Sequence, residues 1–193
     1  MHEVFRVLAA SFFLLAPPTL ETVIQVRPFS SIALPEGGHV ILRPSATQRV
    51  TLVRGSLDYT RMSVTNRGAL VIDKCFRKCP RGYRLELEIL SPSVSRLSLA
   101  NGGSIQSLGS FPRQSSLAVE VSHGGRIDVR SMVARSVTAS VNHGGRILTA
   151  PQASLVASVT QGGAIFYWGD AQVTQSINHG GVVTRGSADE IPR

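Results

Sequence analysis

Val121-Ser122-His123-Gly124-Gly125-Arg126-Ile127 and Val141-Asn142-His143-Gly144-Gly145-Arg146-Ile147 are two copies of one pattern. Leu99-Ala100-Asn101-Gly102-Gly103-Ser104-Ile105 precedes them. Val159-Thr160-Gln161-Gly162-Gly163-Ala164-Ile165 and Ile177-Asn178-His179-Gly180-Gly181-Val182-Val183 follow. The second glycines stand at 103, 125, 145, 163 and 181, so the steps are 22, 20, 18 and 18 residues. A period this short is the signature of a solenoid, in which each repeat buries its apolar face against its neighbours. Before each glycine pair the residues alternate, as in Leu117-Val119-Val121 and Leu155-Ala157-Val159, and an aliphatic residue returns two positions after it. The pattern predicts an all-β chain: a single right-handed parallel β-helix of about 18–22 residues per coil, with like residues stacked roughly 4.8 Å apart.

The glycine pairs 102/103, 124/125, 144/145, 162/163 and 180/181 are read as structural corners. A sharp turn needs positive φ or close backbone approach, and glycine accepts both at little cost. An anion-binding nest of backbone N–H groups is the competing use of such turns. Ahead of the pairs stand Asn101, His123, His143, Gln161 and His179. His123 and His143 should therefore stack on adjacent rungs, where two imidazoles could share Zn²⁺ or Cu²⁺. A ladder of polar turn residues accounts for the same column, and no metal or other cofactor is assigned.

Arg6, the apolar run 7–16 and Pro17-Pro18 follow the order of a secretory signal, placed at residues 1–20. Ten apolar residues cannot span a bilayer, which needs about 20, so no transmembrane helix is expected in the mature chain. The solenoid is assigned to 23–187, with glycine-corner repeats over 97–187 and a tail at 188–193. The irregular but alternating segment from Val23 to Leu97 is read as opening coils and cap, because a bare solenoid end exposes strand edges. In an oxidising compartment Cys75 and Cys79 form a local disulfide; free or metal-bound thiols are the alternative.

The net charge of +8 comes mostly from arginine, which attracts phosphate, sulfate or carboxylate groups. Export directs that charge away from nucleic acid and toward an anionic envelope polymer or polysaccharide. Lys74, Arg77, Lys78, Arg81 and Arg84 crowd around the cysteine pair and are candidate contacts. Phe166 and Trp168 are further candidates: with Ile165 inward, alternation points both outward, and Phe166 falls in register with Leu148; a bend of the coil here would instead turn the rings over the core.

Phe29-Ser30-Ser31-Ile32-Ala33-Leu34, Gly38-His39-Val40-Ile41-Leu42, Asn66 to Ile72, Leu87-Glu88-Ile89 before Pro92 and the glycine corners together resemble the auto-transporter adhesin head family, also called the GIN domain. The resemblance runs from about Val26 to Arg185. It implies an exported bacterial β-solenoid placed in the periplasm or at the cell surface, with no family catalytic residues to carry over. His-Gly-Gly and Asn-Gly-Gly stand where that family usually has Gly-Ser-Gly-like corners.

β-Helical lyases and hydrolases gather carboxylates on one face. Glu120, Asp128 and Asp170 do not: one rung on from Asp128 is Leu148, and one rung on from Glu120 is Ser140. The expected function is a non-catalytic, adhesin-like binding module of the cell envelope. The alternatives are a polysaccharide-active enzyme and a structural envelope factor with no specific ligand. A monomer and an end-to-end oligomer are both compatible with the sequence.

Overall fold

The computed structural model describes residues 22–187, so the signal at 1–20 and the tail at 188–193 lie outside the described residues. Every regular element among them is a strand: β1 Thr22–Ile24, β2 Ser31–Leu34, β3 His39–Pro44, β4 Arg49–Arg54, β5 Thr60–Val64, β6 Ala69–Lys74, β7 Glu86–Ser91, β8 Arg96–Ala100, β9 Ser104–Ser107, β10 Gln114–Ser122, β11 Arg126–Asn142, β12 Arg146–Thr160, β13 Ala164–Tyr167, β14 Gln172–Asn178 and β15 Val182–Arg185. They form a β-solenoid of about four turns.

Each coil has two strand faces joined by a glycine corner. The first face runs β2, β8, β10, the second half of β11, the second half of β12 and β14, all parallel. The second face runs β3, β9, the first halves of β11 and β12, β13 and β15, again parallel. Between the faces β11 and β12 bend, and their register slips between Val129 and Ala134. Like residues stack as the sequence predicts. Leu99, Val121, Val141 and Val159 form one inner column. Ile105, Ile127, Ile147 and Ile165 form another, and all eight are fully buried. Each such side chain contributes roughly 1.5–3 kcal/mol. A third inner column shrinks from Leu97 through Val119 to Ala139 and Ala157. The coils shorten in the same direction, and a narrower interior holds smaller side chains.

The corners hold three consecutive positive-φ residues. Asn101, His123, His143, Gln161 and His179 have φ between 54° and 57°, each followed by two positive-φ glycines. The sequence reading assigned the strain to the glycines alone; the residue before them shares it. This explains that column, because Asn and His tolerate the left-handed region while β-branched residues do not. The two glycines are also unequal. A Cβ on Gly144 would meet nothing within 4 Å, whereas one on Gly145 would lie 2.5 Å from Val121 Cγ1. Backbone hydrogen bonds continue through the corners, as from His123 N to Asn142 O (3.0 Å) and from Arg146 N to Gly125 O (2.9 Å).

The N-terminal part supplies both coils and cap, in an order the sequence does not announce. The β2/β3 coil lies between β8/β9 on one side and the later β6/β7 on the other. Beyond that outer coil the strands turn antiparallel: β5 on β6, β4 on β7 and β1 on β4. The parallel β-helix is thus closed at this end by antiparallel strands, which shield its edges. At the other end β14 and β15 each pair on one side only among the described residues, and Ile177 is 43% exposed.

Candidate functional site

The second face carries the most chemistry on its outer side. Register places Arg126 beside Arg146, Asp128 beside Leu148, and Leu148 beside Phe166. Asp128 is buried outside the aliphatic core, held by arginines. Arg130 donates from Nε to Oδ1 (2.8 Å) and from Nη2 to Oδ2 (2.7 Å), and Arg126 donates from Nη2 to Oδ2 (3.1 Å). Burial pushes the Asp128 pKa up. The hydrogen bonds from Arg130 and Arg126, with the charge of Arg130, outweigh it and hold the carboxyl below its ordinary value.

One rung on, Arg146 has no carboxylate within ion-pair distance among the described residues. Its guanidinium lies over the Phe166 ring, 5.4 Å from the centroid. Arg126, Arg130, Arg146, Leu148 and Phe166 enclose a cleft of about 310 Å³. Arg130 also borders a hollow of about 410 Å³ walled by Pro151, Gln152, Trp168 and Asp170.

Of the two placements open to Trp168, the structure takes the covered one. Its ring is only 7% exposed, covered by Arg130 at 4.8 Å and backed by Gly186, whose added Cβ would overlap it. Its Nε1 donates to the Ser187 carbonyl (2.8 Å). Phe166 is half-buried and remains on the cleft wall. Arg126, Arg130 and Arg146 were missed by sequence reading, although two of them follow identical His-Gly-Gly corners; that repetition was the available signal.

The second region is the loop between β6 and β7. Cys75 and Cys79 are joined by a disulfide with their Cα atoms 5.2 Å apart. The guanidinium groups of Arg61 and Arg77 lie 5.4 and 5.3 Å from the centroid of the Phe76 ring, and Arg61 pairs with Asp73 (3.2 Å). The loop's far end is pinned by Tyr83, whose hydroxyl accepts from Ser56 N (2.8 Å), donates to Ser56 O (3.1 Å) and lies 2.8 Å from Thr60 Oγ1. Lys74, Arg77, Lys78, Arg81 and Arg84 form no ion pair among the described residues.

The histidines stack as expected. The rings of His123 and His143 lie 4.8 Å apart and within 6° of parallel. Face-to-face rings aim their nitrogen lone pairs side by side rather than at one point, which is poor geometry for a shared ion with bonds of about 2.0–2.1 Å. Among the described residues no group of three or more His, Cys, Asp or Glu is placed to hold a metal.

Comparison with solved structures finds relatives of this architecture. A putative adhesin from Bacteroides fragilis NCTC 9343 is similar to the chain at 15% identity and a TM-score of 0.51, covering 88% of this chain and 97% of its own. The shared feature is the fold. A putative adhesin from Parabacteroides merdae ATCC 43184 is similar at 12% identity and a TM-score of 0.44, over 86% and 95% of the two chains. A putative cell adhesion protein from Clostridium sporogenes ATCC 15579 gives 10% and 0.41, over 86% and 97%. No family profile and no curated protein sequence matches the chain. The first likeness shows the fold, a β-solenoid, and leaves activity to be argued from the residues.

Proposed function

We propose that the chain is an exported, non-catalytic binding module of the cell envelope, of the adhesin-head (GIN) kind, that holds an anionic envelope polymer. The carrying observation is the β6–β7 connection, in which the Cys75–Cys79 disulfide closes the turn holding Arg77 and Lys78, with Lys74, Arg81 and Arg84 flanking it, all five without ion-pair partners among the described residues. A covalent tie limits the conformations the tip loses on binding, and its cations suit phosphate, sulfate or carboxylate. The disulfide and the adhesin-like fold favour an extracellular or envelope location. Against a glycosidase role stands Asp128, the buried carboxylate of the repeat, which is occupied by Arg126 and Arg130.

The test is a pull-down of the mature protein against lipopolysaccharide, teichoic acid and acidic polysaccharides at low and moderate salt. A variant with Arg77, Lys78 and Arg81 changed to Ala runs beside it. The expected result is selective capture that weakens with salt and is lost in the variant. Capture of no polymer at either salt overturns the binding reading.

A further inference from the structure

The outer side of the second face points to a specific ligand chemistry. The molecule already shows how this surface grips a carboxylate: Asp128 is held by the fork of Arg130 and by Arg126. The next rung repeats the arginine and replaces the acid. Arg146 stacks in register on Arg126, while Leu148 takes the register position of Asp128. Arg146 therefore keeps the orienting position without an internal acid, beside an apolar bed of Leu148 and Phe166.

We infer that the cleft of Arg126, Arg146, Leu148 and Phe166 is a binding site for a carboxylated sugar, such as one uronate residue of an acidic polysaccharide. The pyranose ring lies against the exposed part of Phe166, with the buried Leu148 beneath it, and its carboxylate meets Arg146, flanked by Arg126. This inference rests on the reading of the chain as a binding module and names the ligand of a surface distinct from the disulfide loop.

Three features favour a uronate. A planar carboxylate matches the guanidinium fork, as the neighbouring Asp128 pairing demonstrates. The apolar wall of Phe166 and Leu148 offers nothing to a bare phosphate or sulfate, whereas the C–H face of a sugar ring packs on an aromatic side chain. The cleft's volume of about 310 Å³ falls at the small end of the ~300–1,000 Å³ range of small-molecule sites, the size of a sugar unit rather than a long peptide. Strands on adjacent rungs also set the arginines a repeat apart, about 4.8 Å, so neighbouring acidic groups of one ligand can meet successive guanidinium groups.

The experiment is calorimetric titration with trigalacturonate, its fully methyl-esterified form and inorganic phosphate. The proteins are wild type, Arg146→Gln, Phe166→Ala and the triple loop variant. Trigalacturonate should bind wild type and the loop variant alike, bind at least about tenfold more weakly to Arg146→Gln and Phe166→Ala, and outcompete both the ester and phosphate. Melting temperatures establish that the cleft variants remain folded. No trigalacturonate binding to wild type, undiminished binding to folded Arg146→Gln, or equal binding of the ester each overturns the uronate site. If the polymer pull-down still shows capture that depends on the loop, only the cleft assignment falls; if it captures nothing and trigalacturonate does not bind, the binding reading falls too.

Discussion

The coil that opens at His123 and the coil that opens at His143 share five residues, His-Gly-Gly-Arg-Ile, and then part: Asp128-Val129-Arg130 in one, Leu148-Thr149-Ala150 in the other. The shared part is dictated by backbone geometry, with three positive-φ residues and a second glycine pressed against the previous rung. The divergent part lies on a strand whose hydrogen bonds are made by main chain, so its outward side chains are free to differ. One coil uses that freedom for an internal ion pair, the other for an arginine beside an aromatic wall. A solenoid can hold its corner constant and vary its surface chemistry rung by rung.

The largest effect should come from the shared corner. Gly145→Ala places a methyl 2.5 Å from Val121 Cγ1 and 3.2 Å from the Gly125 carbonyl, at a φ of 110°. It should cost about 3 kcal/mol, a fall in Tm of roughly 6–12 °C. Gly144→Ala adds a methyl that meets nothing within 4 Å at φ 83°, so only the backbone penalty of about 1–2 kcal/mol remains. Thermal melting compares the two, and equal losses would break the claim that the second glycine is set by stacking between rungs.

A smaller effect tests the first coil's divergence. Asp128→Asn leaves the guanidinium of Arg130, 10% exposed, facing a neutral amide, and should cost about 2–3 kcal/mol at pH 7. The sign of the pH dependence follows from the lowered pKa. The carboxylate stabilises the fold fully above the ordinary value of 3.8, and that stability is lost as pH falls through the lower folded value. Denaturant melts of wild type and variant should therefore stay apart down to about pH 4 and converge only below 3.8. Convergence already between pH 6 and 4 would contradict the ion-paired state.

Corners and inner columns were legible in the sequence because in a solenoid each residue's neighbour lies one period away, so Val121 finds Val141 by counting. Counting fails where pairing is not periodic. Nothing in the alternation of Val50-Thr51-Leu52 or Leu87-Glu88-Ile89 states that these strands run antiparallel, or that β6/β7 lands outside β2/β3. Burial on the outer face was also hidden. Leu148 and Trp168 are buried yet belong to no core column: Leu148 lies between Asp128 and Phe166 on the adjoining rungs, the Arg130 side chain covers Trp168, and strand periodicity carries no information about where such a chain lies. The candidate site was half legible for that reason: Phe166 was named, and the arginines that give it meaning were not.

The smallest effect tests the second coil's interior. Thr149 is fully buried between Val129 and Tyr167 on the adjoining rungs, and its hydroxyl has no hydrogen-bond partner among the described residues. In the preceding coil the same place is held by Val129, which has no polar atom to satisfy. Thr149→Val makes the two coils alike at this position, removing a desolvated hydroxyl with little change of shape. It should raise stability by about 1 kcal/mol, roughly 2–4 °C in Tm. A loss instead would mean that the hydroxyl is satisfied by a buried water. Because Thr149 faces the core while Arg146, Leu148 and Phe166 line the cleft, the same variant should bind trigalacturonate as wild type does. A stabilised protein with altered uronate affinity would show that inner and outer columns of a rung are coupled, against the independence that the two coils display.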